Sequence, residues 1–191
     1  LTIWLRSSIA TFMSNNSILL YGANGYTGGL IAKYEAQYGL NAILAGRRKE
    51  AVKPLADQLN LSYKIFDLSN TPQLKAALEE VKVVVHAAGP FSDTARQMIA
   101  ACLQTGTHYL DINGDISVFE QIKSLDSLAK EKNIMLLPGV GFDVVPTDCM
   151  ALHLKNKLPD ATHLKLAFAS IGGGVSHGTA MTIVNKLGEG G

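Results

Sequence analysis

Three glycines spaced three residues apart are the first feature of this sequence with an evident chemical use. Gly22, Gly25 and Gly28 directly follow residues 18–21, an apolar run typical of a buried parallel strand. The first glycine allows a tight turn, the second lets the backbone approach a pyrophosphate, and the third lets the next helix pack closely against the sheet. We therefore predict a phosphate-binding turn. A strand-turn-helix unit can also use such glycines for packing alone.

A helix is predicted to follow this turn. Thr27 can help to start it, and Leu30, Ile31 and Tyr34 have helical spacing. The free N–H groups and the positive dipole end of this helix would face the phosphates, so the anion contacts would come mostly from the backbone. The spacing G-x-x-G-x-x-G differs from the dehydrogenase pattern G-x-G-x-x-G and fits extended variants of the fold better.

Two arginines follow the second apolar run, residues 41–45, and indicate which dinucleotide is bound. In nucleotide-binding folds the end of the second strand meets the adenosine ribose, where an acid selects a free 2′-hydroxyl and an arginine accommodates a 2′-phosphate. No acid stands here, and Arg47 and Arg48 come directly after Gly46. Guanidinium groups pair with phosphate, so NADP(H) is favoured over NAD(H). Alternatively, the arginines only solvate the start of the next helix.

Two further strand ends supply candidate contacts. Asp67 follows the strand predicted over residues 62–66, where it could meet the adenine edge or equally cap the turn before the next helix. The strand predicted over residues 81–86 ends in small residues, which would let the backbone lie against the cofactor near its nicotinamide side. These residues are Ala87, Ala88, Gly89 and Pro90.

Ionisable groups at the same strand ends are candidates for acid–base chemistry. His86 could act as an acid or base, or it could be a packed neutral residue at the end of a buried strand. Asp115 could be the N-cap of the following helix. None of the tyrosines is followed four residues later by a lysine, a pairing that marks short-chain dehydrogenases, so the catalytic residues stay unassigned. The polar groups to test are Asp111, Asp143 and His177.

The elements that must position these residues alternate regularly between strand and helix. Apolar runs typical of strands lie at 18–21, 41–45, 62–66, 81–86, 107–110 and 134–137. Helical patterns separate them over 48–60, 71–80, 93–104 and 117–132, and another helix starts near Pro146. This alternation predicts an α/β fold with a doubly wound parallel sheet and right-handed crossovers. A new pattern then begins, with an amphipathic strand at residues 164–168 and a helix over 179–187.

Composition sets limits on the class of protein. The 191 residues are 47% hydrophobic and 17% charged, which predicts a globular domain and part of another. Because 17 basic residues balance 16 acidic ones, no large field attracts nucleic acid or an anionic membrane. Residues 1–12 are apolar but too short to span a bilayer, and we expect a disordered tail there. Cys102 and Cys149 form no metal or redox motif, so we expect no metal and a cytoplasmic location.

Five motifs, taken in order, resemble those of a known family. They are YGANGYTG at 21–28, LAGRR at 44–48, HAAGPFS at 86–92, ACLQTGTHYLDINGD at 101–115 and PGVGFDVVPTDCMALHL at 138–154. Together they resemble the saccharopine dehydrogenase-like oxidoreductases, and within these the trans-acting enoyl reductase-like group. The resemblance covers residues 17–191.

This resemblance implies an NADP(H)-binding Rossmann domain over residues 13–150. Residues 151–191 would start a mixed α/β domain that covers the nicotinamide and supplies contacts for a homodimer. Members of the group continue well beyond this length, so this second domain would be truncated. Carried over by position, the pyrophosphate contacts would be Gly22, Asn24, Gly25, Tyr26, Thr27 and Gly28. Arg47 and Arg48 would hold the ribose phosphate, and the inner ribose would lie against Ala88, Gly89 and Pro90.

The implied function is an NADP(H)-dependent oxidoreductase. It would transfer hydride between the nicotinamide and a carbonyl, imine or enoyl carbon of a small-molecule substrate. The alternative is a catalytically silent NADP(H)-binding module or sensor, because no acid–base pair is evident in the sequence.

Overall fold

A parallel sheet organises the computed structural model, which describes residues 18–142, 144–167, 174, 180 and 184. Strands β1 to β6 are Ile18–Tyr21, Ile43–Gly46, Tyr63–Ile65, Val83–His86, His108–Asp111 and Leu136–Leu137. Their order across the sheet is β3-β2-β1-β4-β5-β6, and every neighbouring pair is parallel. The predicted α/β fold is therefore confirmed. The strand order reverses direction between β1 and β4.

Helices connect these strands and cover both faces of the sheet. Helices α1 to α7 are Tyr26–Tyr34, Lys49–Leu59, Thr71–Glu79, Phe91–Thr105, Ile116–Ser124, Asp126–Glu131 and Val145–Lys157. A short 3-10 helix, Glu35–Tyr38, follows α1. On β1, Leu19 and Tyr21 point into a core shared with helices α3 to α6, whereas Leu20 points into a second core with α1 and α2. Helices on both faces make the sheet doubly wound, as predicted.

Two predicted elements are divided or shortened in the structure, and the ends of several others shift by one or two residues. The single helix expected over residues 117–132 is divided into α5 and α6, because the backbone of Leu125 leaves the helical region at φ −95° and ψ 2°. The strand expected over 134–137 is reduced to β6. The N–H of Met135 donates to Nδ1 of His108 at 2.9 Å, so it bonds to a side chain rather than to the backbone of β5.

The helix predicted to start near Pro146 is confirmed as α7, Val145–Lys157, whereas the strand predicted after it is not. Helix α7 buries none of its residues. The strand predicted from Leu164 is wrong over the described residues 164–167, because the backbone there is irregular and unpaired, and both Leu164 and Leu166 are exposed. Phe168 and the tail at residues 1–12 lie outside the described residues, as does most of the helix predicted over 179–187. Within the described ranges, no helix has the length and hydropathy to cross a bilayer.

Candidate dinucleotide-binding site

The carboxyl ends of β1 and β4 lie side by side where the strand order reverses. Tyr21 is in register with His86, and the N–H of Ala87 donates to the carbonyl oxygen of Tyr21 at 2.8 Å, which extends the pairing past the end of β4. Open parallel sheets bind their ligands in the crevice outside such a switch point. The turn after β1 and the loop after β4, residues 87–90, therefore share the edge where a ligand is expected.

The turn after β1 is packed so closely that two of its glycines have no room for a side chain. Gly22 has a φ of +89°, and a Cβ there would lie 2.7 Å from the carbonyl carbon of Ala87. A Cβ on Gly28 would overlap the carbonyl oxygen of Gly22, which accepts the N–H of Gly25 at 2.9 Å. The first and third glycines thus close the turn on itself and against the loop after β4. The predicted strand-turn-helix unit is confirmed.

Helix α1 begins at Tyr26 with a free amino-terminal end. Gly25 is its N-cap, and no side chain from the described part of the chain caps it. Thr27 is the second residue of the helix, and both Tyr26 and Thr27 are exposed. The first N–H groups of a helix have no acceptor inside the helix, and together with the dipole they favour an anion. The backbone around Gly25 therefore offers N–H groups of the kind that bind phosphate.

Asn24 connects this turn with the end of β2. A Cβ on Gly46 would lie 2.9 Å from Oδ1 of Asn24, so the asparagine side chain lies across the last residue of that strand. Arg47 and Arg48 follow directly and are both exposed. Nη1 of Arg47 is 3.9 Å from Oδ2 of Asp67, a long and solvent-exposed ion pair that contributes little to stability. Both guanidinium groups are therefore accessible to an anion at this edge.

Asp67 forms the turn after β3. Its Oδ1 accepts the hydroxyl of Ser69 at 2.7 Å and the backbone N–H of Ser69 at 2.9 Å. These two hydrogen bonds, together with the Arg47 guanidinium, lower the pKa of Asp67. The N-cap of α3 is the next polar residue, Asn70, which accepts the N–H of Gln73 at 3.2 Å. The turn-capping alternative for Asp67 is thus confirmed, and its contact with adenine stays a prediction.

The loop after β4 is tied to helix α4 through one hydroxyl group. Oγ1 of Thr94 lies 2.7 Å from the carbonyl oxygen of Ala88 and 3.0 Å from that of Pro90, and it donates to this pair of oxygens. Nε2 of His86 is 3.0 Å from the same Oγ1. Because the hydroxyl hydrogen is directed to a carbonyl, we assign the hydrogen on Nε2, which donates to Thr94. Sequence reasoning missed Thr94, whose only signal is its place one helical turn after Pro90.

His86 is a buried, neutral residue. Its ring is completely buried among Tyr21, Phe91 and Tyr109, with centroid distances of 5.8, 5.4 and 6.1 Å. Burial lowers the pKa of His86 to about 3. Nδ1 is buried, and no hydrogen-bond partner for it lies in the described part of the chain. The alternative of a packed neutral histidine is therefore confirmed.

Asp111 is a buried centre of hydrogen bonds. Oδ2 accepts the hydroxyl of Tyr109 at 2.7 Å. Oδ1 accepts the N–H of Gly139 at 2.8 Å, together with the side-chain Nδ2 of Asn113 at 2.6 Å and its backbone N–H at 3.1 Å. The carboxylate thus joins the ends of β5 and β6. Asp115 accepts the N–H of Ser117 at 2.9 Å and is the N-cap of α5, as predicted. Asp143 and the residue at 177 lie outside the described residues.

Comparison with known proteins gives matches over most of the chain. The family model described as the saccharopine dehydrogenase NADP binding domain matches residues 18–137. A trans-acting enoyl reductase of Mycobacterium bovis is 29% identical over 154 residues, which are 76% of this chain and 37% of the relative. A saccharopine dehydrogenase-like oxidoreductase of Mus musculus is 25% identical over 161 residues, or 74% of this chain and 38% of the relative.

A solved structure shares the fold. The apo saccharopine dehydrogenase (L-Glu forming) of Saccharomyces cerevisiae superposes with a TM-score of 0.65 at 16% identity, over 76% of this chain and 32% of that one. The chain spans less than half the length of the curated relatives that it matches.

Proposed function

The chain belongs to the family of saccharopine dehydrogenase NADP-binding domains, whose cofactor is NADP(H), and from this premise we propose that it acts as an NADP(H)-dependent oxidoreductase. One observation carries the proposal. Gly22 packs against the peptide between Ala87 and Ala88 at the switch point of the sheet, and the free end of α1 lies beside it. That arrangement supports a dinucleotide lying across the ends of β1 and β4.

Each part of the cofactor can be assigned to a group of residues along this edge of the sheet. We assign the pyrophosphate to Gly22, Asn24, Gly25, Tyr26, Thr27 and Gly28, where the close-packed glycines leave the backbone without covering side chains. Arg47 and Arg48 would hold the 2′-phosphate, because they are exposed cations at the end of β2. Asp67 would lie near the adenine. The inner ribose would contact Ala88, Gly89 and Pro90.

The proposed reaction is hydride transfer to or from a carbonyl, imine or enoyl carbon of a small molecule. Bound NADP(H) supplies the hydride chemistry, and the protein binds and orients it. The enoyl alternative is supported by the similarity to proteins named trans-acting enoyl reductase. A homodimer and a cytoplasmic location also stay proposals. We assign no catalytic residue.

A specific observation favours a second candidate, a silent NADP(H)-binding module. The two ionisable side chains at the ends of β4 and β5, His86 and Asp111, are both completely buried and hydrogen-bonded within the protein. Neither is placed to exchange a proton with a substrate from solvent. NADPH oxidation against a panel of carbonyl, imine and enoyl compounds separates the candidates. Turnover supports the oxidoreductase, and tight NADPH binding without turnover supports the module.

Cofactor titration tests the binding assignment. NADPH and NADH are titrated in parallel into the wild type, Arg47→Ala, Arg48→Ala and the control Lys49→Ala, which removes one exposed positive charge from the next position along. We expect at least one arginine variant to lose roughly 10- to 100-fold in NADPH affinity, with NADH affinity unchanged. Lys49→Ala should change both affinities by less than about threefold. Equal wild-type affinity for NADPH and NADH would refute the phosphate assignment.

A further inference from the structure

Among the described residues, backbone hydrogen bonds hold the loop after β4 only at its two ends, where the N–H of Ala87 donates to Tyr21 and the carbonyl of Pro90 accepts the N–H of Thr94. Its residues Ala87 to Pro90 are small, and Gly89 is exposed. The backbone of this loop nevertheless faces a close fit, because Gly22 packs against the peptide that joins Ala87 and Ala88. A shift of a few tenths of an ångström in the loop would therefore change the shape of the crevice outside the carboxyl ends of β1 and β4.

Two side chains outside the crevice fix this loop from behind. Thr94, in the first turns of α4, directs its hydroxyl group to the carbonyl oxygens of Ala88 and Pro90. His86, at the end of β4, donates from Nε2 to the same hydroxyl oxygen. The three hydrogen bonds join the strand before the loop, the loop itself and the helix after it.

Aromatic rings enclose the imidazole of His86. The imidazole is completely buried, and the ring of Phe91 packs edge-on against it at 5.4 Å. Because burial keeps the imidazole neutral, Nε2 keeps a single hydrogen for Thr94 across the physiological pH range. The N–H of His86 therefore orients the Thr94 hydroxyl, and the hydroxyl in turn orients the carbonyl groups of Ala88 and Pro90.

We propose that His86 and Thr94 are positioning residues, which hold the loop at 87–90 in the shape that receives the nicotinamide half of the cofactor without touching the cofactor themselves. The inference rests on the proposed function, since it requires that NADP(H) lies across β1 and β4. It assigns a role in binding to two residues that carry none of the predicted cofactor contacts. It also separates the two halves of the site, because Arg47 and Arg48 lie beyond β2 and share no hydrogen bond with this pair among the described residues.

The test compares two ligands that share the adenosine half. NADPH spans the whole site, whereas adenosine 2′,5′-bisphosphate carries the adenine and the 2′-phosphate but no nicotinamide. We expect Thr94→Val, which replaces the hydroxyl group with a methyl group of similar size, to weaken NADPH binding about tenfold, the equivalent of one buried hydrogen bond. Adenosine 2′,5′-bisphosphate should bind it within about twofold of the wild type. Thr94→Ser, which keeps the hydroxyl, should restore NADPH binding.

Thr105→Val is the matched control on the same helix. Its hydroxyl also bonds to the carbonyl one turn earlier, that of Ala101 at 3.0 Å, but at the end of α4 far from the loop. It should lower the melting temperature without a selective loss of NADPH. If Thr94→Val does not fold, His86→Leu breaks the pair from the other side and should give the same selective loss.

The outcomes separate the two proposals. If the wild type binds neither ligand, the proposed function fails, and the positioning role fails with it. If the wild type binds both, the positioning role alone is overturned by either of two results. One is an equal loss of both ligands in Thr94→Val, and the other is unchanged NADPH binding in that folded variant.

Discussion

A Cβ at Gly28 would overlap the carbonyl oxygen of Gly22 and lie 2.9 Å from its carbonyl carbon. Both groups are backbone, so neither can move aside by a change of rotamer. The contact brings the start of α1 against the turn that precedes it. The same turn also packs on the loop after β4. Of the three glycines, Gly28 is therefore the one at which an added Cβ would come closest to backbone atoms.

Gly28→Ala should therefore destabilise the protein, by about 3 kcal/mol, because the backbone of α1 must shift to admit one methyl group. Urea unfolding followed by circular dichroism gives the free energy of unfolding. The neighbouring Gly29→Ala is the matched control. A Cβ at Gly29 would lie 3.6 Å from the carbonyl oxygen of Ala23, an ordinary contact, inside a helix where alanine is preferred over glycine.

Gly29→Ala should accordingly stabilise the protein by about 0.5–1 kcal/mol. Equal effects of the two substitutions would contradict the close packing of Gly28 on Gly22.

The hydroxyl of Tyr109 should contribute more to the free energy of unfolding than that of Tyr21, although both tyrosines are almost completely buried. Tyr109 donates to the Asp111 carboxylate at 2.7 Å, whereas Tyr21 donates to the carbonyl of Phe66 at 3.3 Å. Hydrogen bonds to a charged acceptor are the stronger class. We expect about 2 kcal/mol of destabilisation for Tyr109→Phe and about 1 kcal/mol or less for Tyr21→Phe, from the same urea experiments. The reverse order would show that Asp111 does not depend on Tyr109.

The sequence was sufficient to predict the sheet and the edge at which a ligand is expected. It was not sufficient to predict the side-chain contacts that support the loop after β4. Apolar runs, glycine spacing and helix caps are signals within short stretches of sequence. They predicted the turn at Gly22, the position of the two arginines at the end of β2 and the N-cap at Asp115. The role of Thr94 depends on a histidine from the preceding strand and on two loop carbonyls, which no local pattern brings together. The strand predicted at Leu164 failed for a related reason, because an alternating pattern cannot show whether a partner strand lies beside it.

Asp67→Asn should distinguish the turn-capping role from contact with adenine. The asparagine keeps an oxygen for the two Ser69 hydrogen bonds, so stability should change by less than about 0.5 kcal/mol. Removing the carboxylate also removes a negative charge 3.9 Å from Arg47, which is then fully available to a 2′-phosphate. If Asp67 only caps the turn, NADPH affinity should rise by about two- to threefold, with NADH affinity unchanged. A parallel loss of both cofactors would instead identify Asp67 as an adenine contact.

The burial of His86 predicts that acid weakens the fold through this residue. The pKa of His86 is about 3 in the folded chain and near 6.5 when exposed, so between these values the unfolded state binds more protons. The stability that depends on neutral His86 is therefore complete above about pH 6.5 and is lost progressively as the pH falls toward 3. From pH 7 to pH 5 the expected loss is about 2 kcal/mol.

His86→Gln, which keeps an N–H near the place of Nε2 but does not titrate, should lack this loss while sharing the pH dependence of every other group. Urea unfolding of the two proteins at pH 7, 6 and 5 measures the difference, and a constant difference across these pH values would mean that His86 titrates normally in the folded protein.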